Sequence, residues 1–123
     1  MFVRLFRPVG SIELELIEQS AWRRFPPRLP EQPIFYPVLN FDYAEQIARD
    51  WNSRHEPSRV GHVLEFDVAQ EIAGRYPAKT AGSAALHVEL WIPAEELEAF
   101  NDAIVGQIRL IATYRNGERV EAS

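Results

Sequence analysis

Five prolines fall within the twelve residues from Pro26 to Pro37, inside the run Arg23-Arg24-Phe25-Pro26-Pro27-Arg28-Leu29-Pro30-Glu31-Gln32-Pro33-Ile34-Phe35-Tyr36-Pro37-Val38-Leu39-Asn40. Each proline fixes φ and lacks an N–H, so the block can be neither helix nor an ordinary central strand. A stretch this stiff loses little entropy on being held in one shape. The expectation is a rigid loop, studded with arginines and aromatics, that feeds a short extended run from Ile34 to Leu39. Such a loop suits the wall of a binding site.

Around this block the hydrophobic pattern alternates between two periods. Phe2 to Phe6 reads as a half-buried strand closed by Pro8 and Gly10. Ser11 caps a helix with Ile12, Leu16 and Ile17 on its stripe. Phe41, Ala44, Ile47, Ala48 and Trp51 share one face of a second helix, whose wet side carries the pair Glu45 and Arg49. Asn52 to Ser58 reads as a polar loop, and Val60 to Val68 as a strand. A helical turn near Ala69 to Gly74 leads into a small-residue loop from Tyr76 to Ser83.

Leu86 to Ile92 forms the next strand, with His87, Glu89 and Trp91 on one face and Leu86, Val88, Leu90 and Ile92 on the core face. Pro93 opens a third helix, with Leu97, Phe100 and Ile104 buried and Gly106 at its end. Gln107 to Tyr114 makes the last strand, before a turn and a frayed tail. The regular strand–helix–strand rhythm fails after residue 58. The expected class is therefore α+β, one domain with a mainly antiparallel sheet and about three helices.

Composition excludes several functions. With no cysteine, disulfides, thiolate nucleophiles and cysteine-ligated zinc are ruled out. His55, His62 and His87 lack ligand-like spacing, so no metal is expected. No Gly-x-Gly-x-x-Gly or Walker loop is present, and no serine has a Gly-x-Ser-x-Gly context. Met1 to Pro8 does not read as a signal peptide, and no apolar run nears the roughly 20 residues of a membrane span, so a cytoplasmic location without membrane contact is expected. The net charge of −5 argues against nucleic acid as a partner.

That charge is uneven. Residues 1–30 hold five arginines against three glutamates, whereas residues 31–123 hold eight basic against fifteen acidic side chains. Arg4, Arg7 and Arg28 are therefore candidates to bind a phosphorylated ligand, since guanidinium groups match phosphate bidentately; the alternative is a solvated surface role. Glu89, between His87 and Trp91, is the best general-base or hydroxyl-binding candidate, or else pairs with an arginine of a neighbouring strand. Tyr36, held between Pro33 and Pro37, either stacks on a flat ligand ring or plugs the core.

Several of these segments carry a resemblance. Leu5-Phe6-Arg7-Pro8-Val9-Gly10, the block from Phe25 to Asn40, Ile47-Ala48-Arg49-Asp50-Trp51-Asn52, the run from Glu89 to Leu97, Phe100-Asn101 and Ile104-Val105-Gly106 resemble a family of small bacterial proteins labelled "ADP-ribosylation/crystallin". More weakly, the order of arginine strand, helix, aromatic strand, helix and late glutamate strand is similar to ADP-ribosyltransferase-like domains. That similarity implies an ADP-ribosyltransferase-like fold and NAD, or an ADP-ribose compound, as substrate. In it Arg7 (or Arg4), Tyr36 and Glu89 match the positions that surround NAD, with His87 two residues before the glutamate. Tyr36-Pro37 and His87-x-Glu89 depart from that family's usual patterns. The other expected role is a protein-interaction module in which the proline-rich loop, with Trp22, Phe25 and Phe35, docks a partner.

Overall fold

A computed structural model describes residues 1–80 and 88–120. Its organising element is a strand, β3 (Val60–Ala69), buried on both faces along almost its whole length. On one side β3 pairs antiparallel with β1 (Phe2–Gly10), and on the other with β7 (Ile104–Arg115). β8 (Glu118–Val120) completes the order β1-β3-β7-β8. The Asn116-Gly117 turn between the last two strands has both residues at positive φ, the geometry that sends a chain straight back along itself. The expected frayed tail is therefore a paired strand as far as Val120.

The proline-rich block ends in a second ladder. Residues 33–39, including β2 (Ile34–Phe35), run antiparallel to 88–94, which hold β5 (Val88–Leu90) and β6 (Ile92–Pro93). Pro33 and Pro37 take part through their carbonyls alone, accepting from the N–H groups of Ala94 and Leu90. A short strand, β4 (Ala78–Thr80), flanks β5 within what reads as loop. Val38 joins the two ladders: its N–H and carbonyl exchange hydrogen bonds with Phe6 at 2.8 and 2.9 Å, and it also bridges to Glu89.

Among the described residues four helical segments cover this framework, the three expected helices and the turn expected near Ala69 to Gly74. They are α1 (Ser11–Gln19), α2 (Phe41–Ile47) running on through π-helical Ala48–Asn52 into α3 (Ser53–His55), the single turn α4 (Gln70–Ala73), and α5 (Leu97–Asp102). Together they make an α+β fold with a mainly antiparallel sheet. One core holds Leu5, Ile17, Phe25, Phe35, Phe66, Leu90, Ile92 and Phe100; a smaller one holds Val38, Ala44, Ala48, Val63 and Tyr114. No helix among the described residues is long and apolar enough to cross a membrane.

Among the boundaries that differ from the sequence reading, three have a clear physical reason. β1 continues through Pro8 to Gly10, because Phe6 turns its backbone groups away from β3 and Pro8, two residues on, does the same. The missing N–H of Pro8 thus costs β3 nothing. Pro93 ends β6 rather than starting a helix; a 3-10 turn, Ala94–Glu96, intervenes before α5. Gly106, at φ 74°, does not cap that helix but lies in β7, where the pairing with β3 slips.

Candidate functional site

The site begins with two glycines. Gly10 and Gly61 face each other across β1 and β3, leaving a patch of sheet with no side chains. A Cβ on Gly61 would lie 2.3 Å from the carbonyl oxygen of Ala48 and 2.8 Å from the Cβ of Asn52. A Cβ on Gly10 would lie 2.6 Å from Cδ of Glu56. The bare patch is what lets the π-helical turn press against the sheet. The wider turn also inserts an extra residue into the helical repeat. Asn52 consequently takes the buried position expected of Trp51, and Trp51 is turned out, 60% exposed.

Beside this patch, between β1, α1, the proline-rich loop and the π-turn, lies a cavity of about 230 Å³. Arg7, Glu13, Arg28, Tyr36, Trp51 and Asn52 are among the residues that wall it. The cavity opens where the chain leaves the sheet. The Phe6–Val38 register, carried on, would set Pro8 opposite Tyr36, but Pro8 has no N–H to give and the strands separate. A second hollow of about 280 Å³ adjoins it through Gly10, Glu13, Arg28, Gln32 and Glu56, and adds Ile12, Leu16, Pro26 and Leu29.

The two cavity arginines are not equivalent. Arg7 is only 7% exposed and engages Glu13 with two contacts, Nε to Oε2 at 2.6 Å and Nη2 to Oε1 at 2.9 Å. Its guanidinium lies 4.5 Å from the centre of the Phe35 ring. Arg7 is thereby held in place and largely neutralised. Arg28 sits 6.0 Å from the centre of the same ring, and its Nε is buried with no partner among the described residues. Burial first, and the Arg7 charge second, pull the Arg28 guanidinium below its ordinary pKa, although Glu13 and Tyr36 oppose this. Arg28 is the cation with bonding capacity to spare.

Glu89 stands elsewhere. Val38 bridges both Phe6 and Glu89, so these three share one face of the sheet, while Arg7 projects from the other. Glu89 is 7% exposed, not on a solvated face as the alternation implied. Its carboxylate accepts from the Tyr43 hydroxyl at 3.1 Å and from Trp91 Nε1 at 2.9 Å. Burial, reinforced by Glu89, pushes the Tyr43 phenol up to about 12. Among the described residues no ion pair joins Glu89 to an arginine. Lys79 lies opposite it in register and reaches over the Trp91 ring instead.

Of the residues singled out from sequence, Arg7, Arg28 and Tyr36 meet at one cavity. Arg4 does not: it pairs with Asp67 at 3.0 Å, which Arg109 also contacts. Glu89 is absent from the cavity wall, and His87 lies outside the described residues. His62 is a buried structural histidine between Ser11 and Thr113, and burial lowers its pKa. Phe25 and Phe35 are buried in the larger core and Trp22 packs against it, so the loop does not present these rings outward. Asn101 clasps the Phe25 backbone from both sides, at 3.0 Å each, which pins the loop's entry.

Sequence reasoning missed Asn52 and Glu56, which it assigned to a polar loop. The available signal was the pair of glycines ending β1 and opening β3. Chemically the cavity offers guanidinium donors, two carboxylates, two side-chain amides and two aromatic surfaces, an arrangement for holding a small polar molecule. Among the described residues no cluster of histidine and carboxylate side chains is close enough to hold a metal ion. Compared with family models, curated proteins and solved structures, the chain matches none.

Proposed function

We propose that this chain binds a small phosphorylated, nucleotide-like molecule of the NAD or ADP-ribose class in the cavity walled by Arg7, Arg28 and Tyr36. One observation carries the reading: three of the side chains picked out for such a ligand share a single hollow, and one of them, Arg28, has a buried N–H without a partner. Arg28 takes the phosphate, Arg7, its charge met by Glu13, holds the wall behind it in place, and Tyr36 and Trp51 offer flat surfaces for a ring. With its neighbour, the cavity reaches the size range of small-ligand sites.

The kinship with ADP-ribosyltransferase-like domains belongs to the same proposal. It is supported by the lateral order of arginine strand, aromatic segment and glutamate strand, joined through Val38. The reading assigns binding and not cleavage, because both oxygens of Glu89 are engaged on the opposite face. Calorimetric titration with ADP-ribose and NAD tests it. Binding at micromolar to low millimolar concentration, lost in Arg28→Met and kept in Glu89→Gln, is the expected result. Heat-silent titrations of both compounds at millimolar concentration overturn it.

A second reading, docking of a protein partner, draws on the exposed Ile12, Leu16 and Leu29 around the adjoining hollow. Concentration-dependent self-association abolished by Leu29→Glu would favour it over ligand binding.

A further inference from the structure

Asn52 is the cavity residue whose bonding needs are least met. It is 8% exposed, and its Oδ1 is buried without a partner among the described residues. Its Nδ2 faces Glu56 Oε1 at 3.4 Å. That contact sets the amide's orientation, because a flipped amide would press two acceptors together. Asn52 has little freedom to turn away. Gly61 admits Asn52 against the sheet, and Gly10 admits Glu56. The acceptor is therefore built into the wall, and a buried acceptor left unmet is destabilising.

Arg28 Nε is the complementary orphan, a donor in the wall of the same cavity. Two residues of one wall thus carry an unmet atom each, a donor on a cation and an acceptor on an amide. The acceptor stands beside a carboxylate, since Glu56 lines the cavity as well. Two adjacent acceptors match an amino group, which has two N–H bonds to give; a hydroxyl has one. Trp51, next in sequence to Asn52 and also in the wall, offers its ring to a flat group carrying that amine.

Resting on the proposed binding of an ADP-ribose-class ligand, we infer that the cavity selects for an exocyclic amino group on the ligand's base. Asn52 Oδ1 accepts one N–H, the Glu56 carboxylate accepts the other, and Arg28 holds the phosphate. Asn52 is on this view a specificity-determining residue.

The test compares ADP-ribose with an analogue in which hydrogen replaces the 6-amino group of the base, by calorimetry on the unaltered chain. The analogue is expected to bind about ten- to a hundredfold more weakly, the usual consequence of leaving a buried polar group unpaired. Asn52→Leu is expected to bind both compounds alike, at the analogue's affinity. Equal affinities on the unaltered chain overturn the inference, with water filling the corner, and leave the binding function standing. A preference that survives in folded Asn52→Leu also overturns it. If neither compound binds at millimolar concentration, the inference falls together with the binding function. Should Asn52→Leu fail to fold, the comparison on the unaltered chain decides alone.

Discussion

Arg7 and Glu89 are both ionisable, both 7% exposed and both carried on strands that Val38 links, yet they are accommodated in opposite ways. Arg7 is met by a full opposite charge, the two-pronged carboxylate of Glu13, and by the face of Phe35. Glu89 is met by neutral donors, a phenol and an indole. The first arrangement leaves a cavity beside it with a second cation, Arg28, unsatisfied. The second has both carboxylate oxygens engaged. Burial of a charge is thus no guide to function by itself; what separates the two regions is whether bonding capacity is left over.

The comparison can be broken most sharply at the cavity floor. Gly61→Ala is expected to cost about 3 kcal/mol or more in urea denaturation, because the new methyl meets a backbone oxygen that cannot yield. Gly10→Ala meets only the end of a flexible glutamate and should cost clearly less while displacing Glu56. Equal costs for the two would mean that the π-turn does not press on the sheet as described.

Glu89→Leu should lower stability by about 2–3 kcal/mol, by leaving the Tyr43 hydroxyl and Trp91 indole N–H without their acceptor. Ligand affinity should stay unchanged, and a loss of ADP-ribose binding would erase the contrast drawn above. Arg28→Met should act the other way. Removing a buried unmet donor should leave stability level or raise it by up to about 1 kcal/mol, while ligand affinity falls at least about tenfold. A thermal-shift series with and without ADP-ribose reads both effects.

The smallest effect concerns alkaline pH. Tyr43 and Tyr114 both have phenols raised to about 12, chiefly by burial, against an ordinary value of 10.0. Above pH 10 the unfolded chain releases these protons before the folded chain does. Their stabilising share is therefore complete below pH 10 and is lost as pH rises towards 12. Tyr43→Phe should make the alkaline fall in stability shallower, as followed by denaturation midpoints at pH 9 to 11.5. An unchanged slope would remove the tyrosine from the Glu89 cluster's electrostatics.

The fold was legible wherever one period ruled a segment. Leu90 and Ile92 face the core as their alternation requires, and the buried stripe of α2 holds at Ala44 and Ala48. It became illegible where a backbone device overrides the pattern. Trp51 sits at a correct helical spacing but is rotated out by the π-turn, which depends on Gly61 from a strand nine residues downstream of Asn52. Arg7, Arg28 and Tyr36, picked out because arginine and aromatic side chains announce their chemistry, line one cavity. That Glu89 faces away from Arg7 was not legible, since two strands bonded through Val38 share a face only in a register that no local pattern states. Arg4 reads like Arg7 in sequence and differs only in projecting from the opposite face, to Asp67.

Pro8 has one more consequence. A strand margin with free N–H groups is a template on which another chain can add itself and start a fibril. At Pro8 the outer margin of β1 lacks the donor that such a newcomer would need. The imino acid that keeps the hollow from zipping shut thereby also guards the molecule against sticking to its copies.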